Sequence, residues 1–165
     1  MKRSINRVVL VAALLFLAGS VFAKDAPKYK TAEVKKVTIA EGVQLPDNIN
    51  PQQLLKLLSD EIREQLSKKD VAEQVIADGG VVPDAVVPDS IVVECKIADF
   101  KKPGHTMMHP AEITMAIDIY HRSDHTPIAN ASPNAKLVPA MYRSDEHLAH
   151  AVGGWVAGET HKLLK

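Results

Sequence analysis

The stretch SIVVECKIADF, residues 90–100, alternates between apolar and polar residues as a β-strand with one buried face does. Successive side chains of a strand point to opposite sides, so the charged Glu94 and Lys96 face away from the apolar positions. Those apolar positions are Ile91, Val93, Cys95 and Ile97. Cys95 therefore falls on the buried face, and we expect an inert thiol there, because nothing in its neighbourhood predicts a lowered pKa.

A second strand of the same kind follows at EITMAIDIYH, residues 112–121, with four apolar side chains on one face. The intervening KKPGHTMMHP, residues 101–110, contains the Pro-Gly pair that is typical of a turn. The two strands are therefore predicted to pair as an antiparallel hairpin. A third strand over 128–138 should run back beside them, and because Pro133 interrupts it, we expect it at an edge of the sheet.

Two helices flank this strand-rich region. Asn50 followed by Pro51 is a strong helix start, and the helix should run to about Lys69. Its apolar residues recur at helical spacing on one stripe: Leu54, Leu55, Leu58, Ile62 and Leu66. The second helix should begin at Ser144 and run to the C-terminus. Its glycines are costly within a helix, and they predict a close approach of another backbone, which we expect to be that of the sheet.

Further strands are predicted at 34–40 and 71–77, so the element order is β-α-β-β-β-β-α. This order predicts the α+β class, as a two-layer sandwich in which an antiparallel-rich sheet carries two helices on one face. Residues 34–165 would form a single α+β domain, and the polar residues 24–33 a flexible N-terminal segment.

The first 23 residues have the pattern of a secretory signal peptide. Lys2, Arg3 and Arg7 precede an apolar run, and Val21-Phe22-Ala23 places a branched and a small residue at the positions that a signal peptidase reads. The run of about 15 apolar residues is shorter than the ~20 that a membrane-spanning helix needs. We expect cleavage near Ala23 and a soluble periplasmic chain without a membrane span, although retention of this segment as an anchor is the alternative.

The net charge and the cysteine content exclude some classes of partner and of covalent attachment. Three of the 20 basic residues and none of the 20 acidic ones lie in the signal segment, so the mature chain carries a net charge of −3. Such a balance gives no reason to expect binding to nucleic acid. Cys95 is the only cysteine, which excludes an internal disulfide, and it is not at the cleavage site, where a bacterial lipoprotein would need it.

Two sequence motifs carry a family resemblance. IVVECKIADFKKPG, residues 91–104, and ITMAIDIYHRSDHTPIANA, residues 113–131, resemble a family of exported bacterial envelope proteins known only as domain of unknown function four-four-one-zero. The alanine-rich C-terminal helix resembles that family too. This chain differs in lacking the lipid-bearing cysteine of many members and in having Thr126-Pro127 where the family has Thr-Gly. The resemblance implies an envelope location and this fold, but no activity.

All seven histidines follow residue 104, which invites a zinc or copper hypothesis. In the predicted hairpin, the loop with His105 and His109 lies about 30 Å from the opposite end of the sheet, where His121 and His125 are expected. These two pairs of histidines therefore cannot bind the same ion. The helix that carries His147 and His150 begins near that loop, so these four histidines are the candidate metal ligands. The alternative is that they are ordinary surface residues, since no compact zinc motif such as His-Glu-x-x-His is present.

Enzymatic motifs are absent from the sequence. It contains no Gly-x-Ser-x-Gly nucleophile elbow and no glycine-rich phosphate loop followed by Lys-Ser/Thr. We therefore predict a non-enzymatic binding or assembly module with an envelope protein partner and no cofactor. The alternative is a periplasmic protein that binds zinc or copper through the four histidines.

Thermal unfolding of the mature chain, residues 24–165, distinguishes these two hypotheses. Metal binding to the folded state alone would stabilise it, by about 2.7 kcal/mol at a hundredfold excess over Kd. A metal site predicts a rise in Tm with stoichiometric Zn²⁺, Cu²⁺ or Cu⁺, and the loss of that rise when His105 and His109 are both changed to alanine. An unchanged Tm would contradict the metal hypothesis.

Overall fold

The computed structural model describes residues 28–47, 49–101, 111–132, 134–137 and 144–165. The predicted signal peptide, residues 1–23, lies outside them. The strands are β1 Tyr29–Val34, β2 Thr38–Ile39, β3 Ala72–Ala77, β4 Ser90–Lys101, β5 Ala111–His121, β6 Pro127–Ala131 and β7 Asn134–Leu137. The α-helices are α1 Pro51–Lys68 and α2 Asp145–Leu163, and a 3-10 helix covers Asp84–Asp89.

All seven strands belong to one open sheet in the order β3-β1-β4-β5-β6. β7 pairs with the other end of β5, and β2 pairs with β4. The pairs that involve β4–β5, β5–β6 and β5–β7 are antiparallel, as predicted. β1 is parallel to both β3 and β4, which is possible because α1 provides the long crossover that a parallel pair needs. The predicted α+β class is confirmed.

The β4–β5 hairpin is the longest pairing of the sheet, from Ile91 opposite His121 to Lys101 opposite Glu112. A bulge between Ile97 and Asp99 shifts the register once. Every side chain predicted to face inward is at most 3% exposed; these residues are Ile91, Val93, Cys95, Ile97, Ile113, Met115, Ile117 and Ile119. Both helices contribute to the same apolar cluster, so they cover one face of the sheet, as predicted.

Helix α1 begins as the sequence predicts. The Asn50 side chain accepts hydrogen bonds from the amides of Gln52 and Gln53, and Pro51 occupies the first turn. The side chains at helical spacing that face the sheet are fully buried; they are Leu54, Leu58, Ile62 and Leu66. The fifth predicted member of this stripe, Leu55, is only half-buried because it lies at the side of the helix.

Helix α2 begins at its predicted cap, with the Ser144 hydroxyl accepting from the His147 amide. It packs mainly against α1 and only lightly against β5 and β6. The expected close approach of its glycines to the sheet is therefore wrong. Gly153 instead faces α1, where an added Cβ would lie 2.6 Å from Cγ of Glu61. A Cβ on Gly154 or Gly158 would meet nothing within 4 Å.

Strand β1 corrects the prediction of a flexible segment over 24–33, at least from Tyr29 onward. Ala32 and Val34 are buried, and β1 lies between β3 and β4 inside the sheet. The sequence does not predict this strand because the strand contains the charged residues Lys30 and Glu33. Their partners, Glu73 and Arg122, come from distant parts of the chain. Of the strand predicted at 34–40, Val34 is the last residue of β1, and only the two-residue β2 follows it within that range.

The matched glycines of α2 provide a test of the helix–helix contact. Gly153→Ala should lower the free energy of unfolding by about 1–3 kcal/mol, because its Cβ would displace Glu61. Gly154→Ala should raise it by about 0.5–1 kcal/mol, because that position is open and alanine favours the helix. Chemical denaturation of both variants measures the difference; equal effects would contradict the close packing at Gly153.

Candidate functional site

The four candidate metal ligands fall into two groups. His105 and His109 lie outside the described residues. His147 and His150 lie at the start of α2, and each has a neighbour of its own: His147 Nδ1 is 3.0 Å from Oγ of Ser144, and His150 Nδ1 is 2.7 Å from Oε1 of Glu61. Within the described ranges, no three His, Cys, Asp or Glu side chains are grouped so as to hold a metal ion. The four-histidine site therefore stays a prediction.

The contact between His150 and Glu61 links the two helices at the point where Gly153 allows them to approach. Burial is the largest single effect on the Glu61 carboxyl and would raise its pKa, but hydrogen bonds from Gln65 and His150 and the charges of His150 and Lys68 together lower that pKa below its ordinary value. The His150 side chain is 70% exposed, so this pair is an ordinary surface interaction and contributes little to stability.

A buried carboxylate, which the sequence does not predict, lies on the face of the sheet opposite the two α-helices. The Glu33 side chain is 3% exposed, and its Oε1 accepts hydrogen bonds from Nζ of Lys35 at 3.0 Å and from the amide of Gly79 at 2.9 Å. The guanidinium of Arg122 forms an ion pair with Oε2. Two cations and an amide thus compensate the desolvation of one carboxylate, as a buried charge requires.

The same cluster extends to Asp78, whose Oδ1 lies 3.0 Å from Nζ of Lys35. This hydrogen bond holds the pKa of Asp78 below its ordinary value, against the smaller effect of burial. Gly79 can follow directly because its φ of +74° is accessible to glycine. The ion-pair cluster, which we define as Glu33, Lys35, Asp78 and Arg122, is electrically neutral.

The ion-pair cluster connects three separate stretches of chain. Glu33 and Lys35 come from the end of β1, Asp78 follows β3, and Arg122 follows β5. The Arg122 amide also donates to the Ser90 carbonyl at 2.9 Å, which ties it to the start of β4. Because its charges are mutually paired, the cluster is suited to holding these strand ends together rather than to proton transfer.

Next to the ion-pair cluster, the uncovered face of the sheet has a polar cleft of about 290 Å³. It brings lysines and carboxylates together, and Cys95 lines it although its side chain belongs to the core; the lining is Lys35, Lys36, Thr38, Asp78, Glu94, Cys95, Lys96 and Asp118. Burial, followed by the negative charges of Asp118 and Glu94, raises the pKa of the Cys95 thiol to about 12. The thiol is therefore protonated at neutral pH, which confirms the prediction of an inert core cysteine.

Glu94 of this cleft is also engaged across the hairpin. It accepts a hydrogen bond of 2.5 Å from the Tyr120 hydroxyl. Burial and this bond raise the pKa of the Tyr120 phenol, so the phenol stays protonated and acts as a donor.

The two ends of the sheet are open edges within the described chain. At one edge β6 and β7 pair only with β5 among the described strands, so the strand predicted over 128–138 does lie at an edge, as two short strands; Pro133 itself lies outside the described residues. At the other end β3 pairs only with β1. Glu73 of β3 is exposed and is paired with Lys30 of β1 at 2.5 Å.

Of the described helices, neither α1 nor α2 combines the length and the apolar character that crossing a bilayer would need.

Comparison with known proteins shows the fold. The chain matches no family model, and no curated protein matches it in sequence. Among solved structures, it is similar to PelC from Paraburkholderia phytofirmans, described as a dodecamer, with a TM-score of 0.52 and 9% identity, over 82% of this chain and 89% of PelC.

Two other bacterial proteins share the fold. XCC0632 from Xanthomonas campestris, of the family DUF330, matches with a TM-score of 0.54 and 12% identity over 85% of this chain and 89% of its own. The hypothetical protein CT253 from Chlamydia trachomatis matches with a TM-score of 0.51 and 11% identity over 81% and 92%. The chain thus has a fold found in bacterial proteins that include a family of unknown function, and none of the three descriptions names an enzyme.

Changing one member of the ion-pair cluster should destabilise the protein. Arg122→Ala leaves the buried Glu33 carboxylate without its guanidinium partner, and we expect a loss of about 3 kcal/mol in the free energy of unfolding. The double variant Glu33→Leu/Arg122→Met should recover most of this loss, because apolar residues of similar volume replace the pair. Chemical denaturation provides the values.

The control for this prediction is Lys30→Ala, which breaks the exposed pair with Glu73 and should leave stability unchanged. An Arg122→Ala protein as stable as the Lys30→Ala protein would show that Arg122 is not needed to hold the buried charge.

Proposed function

We propose that this chain is an exported, non-enzymatic protein of the bacterial envelope that acts in the periplasm as a binding or assembly module. The observation that carries this proposal is the open edge of β3. A strand with one unpaired side presents backbone N–H and C=O groups that can accept a strand from another chain. The partner is therefore a protein segment that adds to the sheet.

The edge of β3 is better suited to this role than the opposite edge. It is a continuous strand of six residues without proline, whereas the other edge is divided into β6 and β7 and begins at Pro127. Val75 and Ile76 are only half-buried, and the single charge of the strand, Glu73, is paired with Lys30. An approaching strand would therefore meet apolar surface and little net charge.

The structural neighbours are consistent with assembly. PelC, which shares this fold, is described as a dodecamer. A fold that is used in an assembly of identical chains makes a second copy of this chain the first partner to test, and another envelope protein the next. The signal-like residues 1–23 and the family resemblance support the export that this proposal includes.

The experiment uses the chain expressed with its own leader and recovered from the periplasmic fraction. Sedimentation velocity should show self-association, or crosslinking in the periplasm should give an adduct with one envelope protein. Proline substitutions at Glu73 and at Gln74 then test the edge, because successive residues of a strand direct their N–H groups to opposite sides. One of the two variants removes an outward N–H; it should keep the fold and lose the association.

The matched control is Ala129→Pro in β6, on the opposite edge, which should leave the association in place if the protein folds. Circular dichroism shows which variants are folded. Association that persists in both folded β3 variants would contradict the role of this edge. A chain that stays in the cytoplasm, or a periplasmic chain that neither self-associates nor forms an adduct, would contradict the proposed function.

A further inference from the structure

A groove of about 560 Å³ opens between the first half of α1 and the carboxyl ends of β1 and β3. Its volume lies within the range of about 300–1,000 Å³ that is usual for small-molecule sites. The groove combines an apolar floor with a charged rim; its lining includes Val34, Val37, Leu55, Lys36, Lys56 and Arg63. It lies where parallel strands end, a position at which sheets of this kind commonly bind ligands.

The floor of the groove offers apolar contact and little competition from polar groups. Leu55 is half-buried and forms the apolar surface that a ligand would cover. The one hydroxyl of the floor, that of Ser59, is already engaged: it accepts from the Val37 amide at 3.0 Å and donates to the Leu55 carbonyl at 2.7 Å. A ligand that enters here would therefore bury apolar surface without leaving this hydroxyl unsatisfied.

The rim of the groove has an excess of positive charge. Three cations line it, Lys36, Lys56 and Arg63, against two carboxylates. Asp60 is held by Lys56 at 2.7 Å and by Arg63 at 3.1 Å, and Asp78 is held by Lys35 at 3.0 Å. Lys36 is exposed, and its side chain is not in a salt bridge with any described residue, although its backbone and its charge help to lower the pKa of Asp78.

The helix adds to this positive potential. The first turn of α1 contains no acidic side chain, and Gln52 of that turn lines the groove. The N-terminal end of a helix carries a partial positive charge, which attracts anions. Lys36 and this helix end thus favour a negative group at the mouth of an otherwise apolar groove.

We propose that this groove binds a small amphiphile that has one apolar chain and one anionic head group. The chain lies against Leu55 and the aliphatic parts of the rim, and the head group pairs with Lys36. The site is separate from the outer edge of β3, and its occupation does not depend on the proposed assembly.

The experiment is calorimetric titration of the chain, purified after export with its own leader, using dodecanoate below its micelle concentration. We expect saturable binding of one molecule per chain. Dodecyl maltoside, with the same chain and a neutral head group, should bind more weakly, and dodecyltrimethylammonium, with a cationic head group, more weakly still. These three probes separate the contribution of the chain from that of the charge.

Two variants locate the binding. Lys36→Gln should weaken dodecanoate binding by about threefold to fivefold, the effect of an exposed ion pair, and should abolish the preference over dodecyl maltoside. Leu55→Asp should weaken all three probes by about tenfold or more, because it removes apolar surface from the floor of the groove, and it should weaken dodecanoate most, because the new carboxylate repels the anionic head group.

The matched controls are Lys96→Gln on the uncovered face of the sheet and Val81→Asp, at an apolar residue that is 93% exposed outside the groove. Both should bind dodecanoate as the parent protein does, and circular dichroism verifies that all four variants are folded. The absence of saturable dodecanoate binding, equal binding of the cationic or neutral probe, or unchanged affinity in Leu55→Asp and Lys36→Gln would each overturn the proposal.

Discussion

The burial of one face of the β4–β5 hairpin is the constraint on which the other elements depend. Eight side chains of this face are excluded from water, and each buried apolar side chain contributes roughly 1.5–3 kcal/mol relative to exposure. The two helices cover that face, and most of their own apolar side chains are buried when they do so. The opposite face carries the charged positions of the same strands and is covered by neither α-helix, because an antiparallel hairpin tolerates water on one side.

The parallel half of the sheet is held together partly by ion pairs as well as by apolar packing. β1 lies beside β4 with Glu33 buried on the face opposite the helices, and a buried charge is tolerated only with partners. These partners are Lys35 just after β1, the Gly79 amide in the chain that follows β3, and Arg122 in the chain that follows β5. The two halves of the sheet are therefore connected by charge on one face and by apolar packing on the other.

The apolar packing on one face and the ion-pair cluster on the other leave two surfaces available for binding. The outer edge of β3 has no strand beside it in the described chain, and the groove at the ends of β1 and β3 has an apolar floor with an excess positive charge. Both lie on the parallel side of the sheet, whereas the histidines that attracted the metal hypothesis lie on α2 or outside the described residues. The polar groups that converge most closely, those of the ion-pair cluster, are already satisfied by one another.

The sequence by itself determined the elements whose signals are local. The alternation of residues 90–100 and 112–121, the cap at Asn50 and the cap at Ser144 each predicted an element that the structure contains, because periodicity and capping depend on neighbours within a few residues. Only the tertiary structure decided the place of β1, the partners of Glu33 and the facing of Gly153 toward α1. These depend on contacts between residues far apart in the chain, such as Glu33 with Arg122, and no local pattern encodes which charges or backbones will meet.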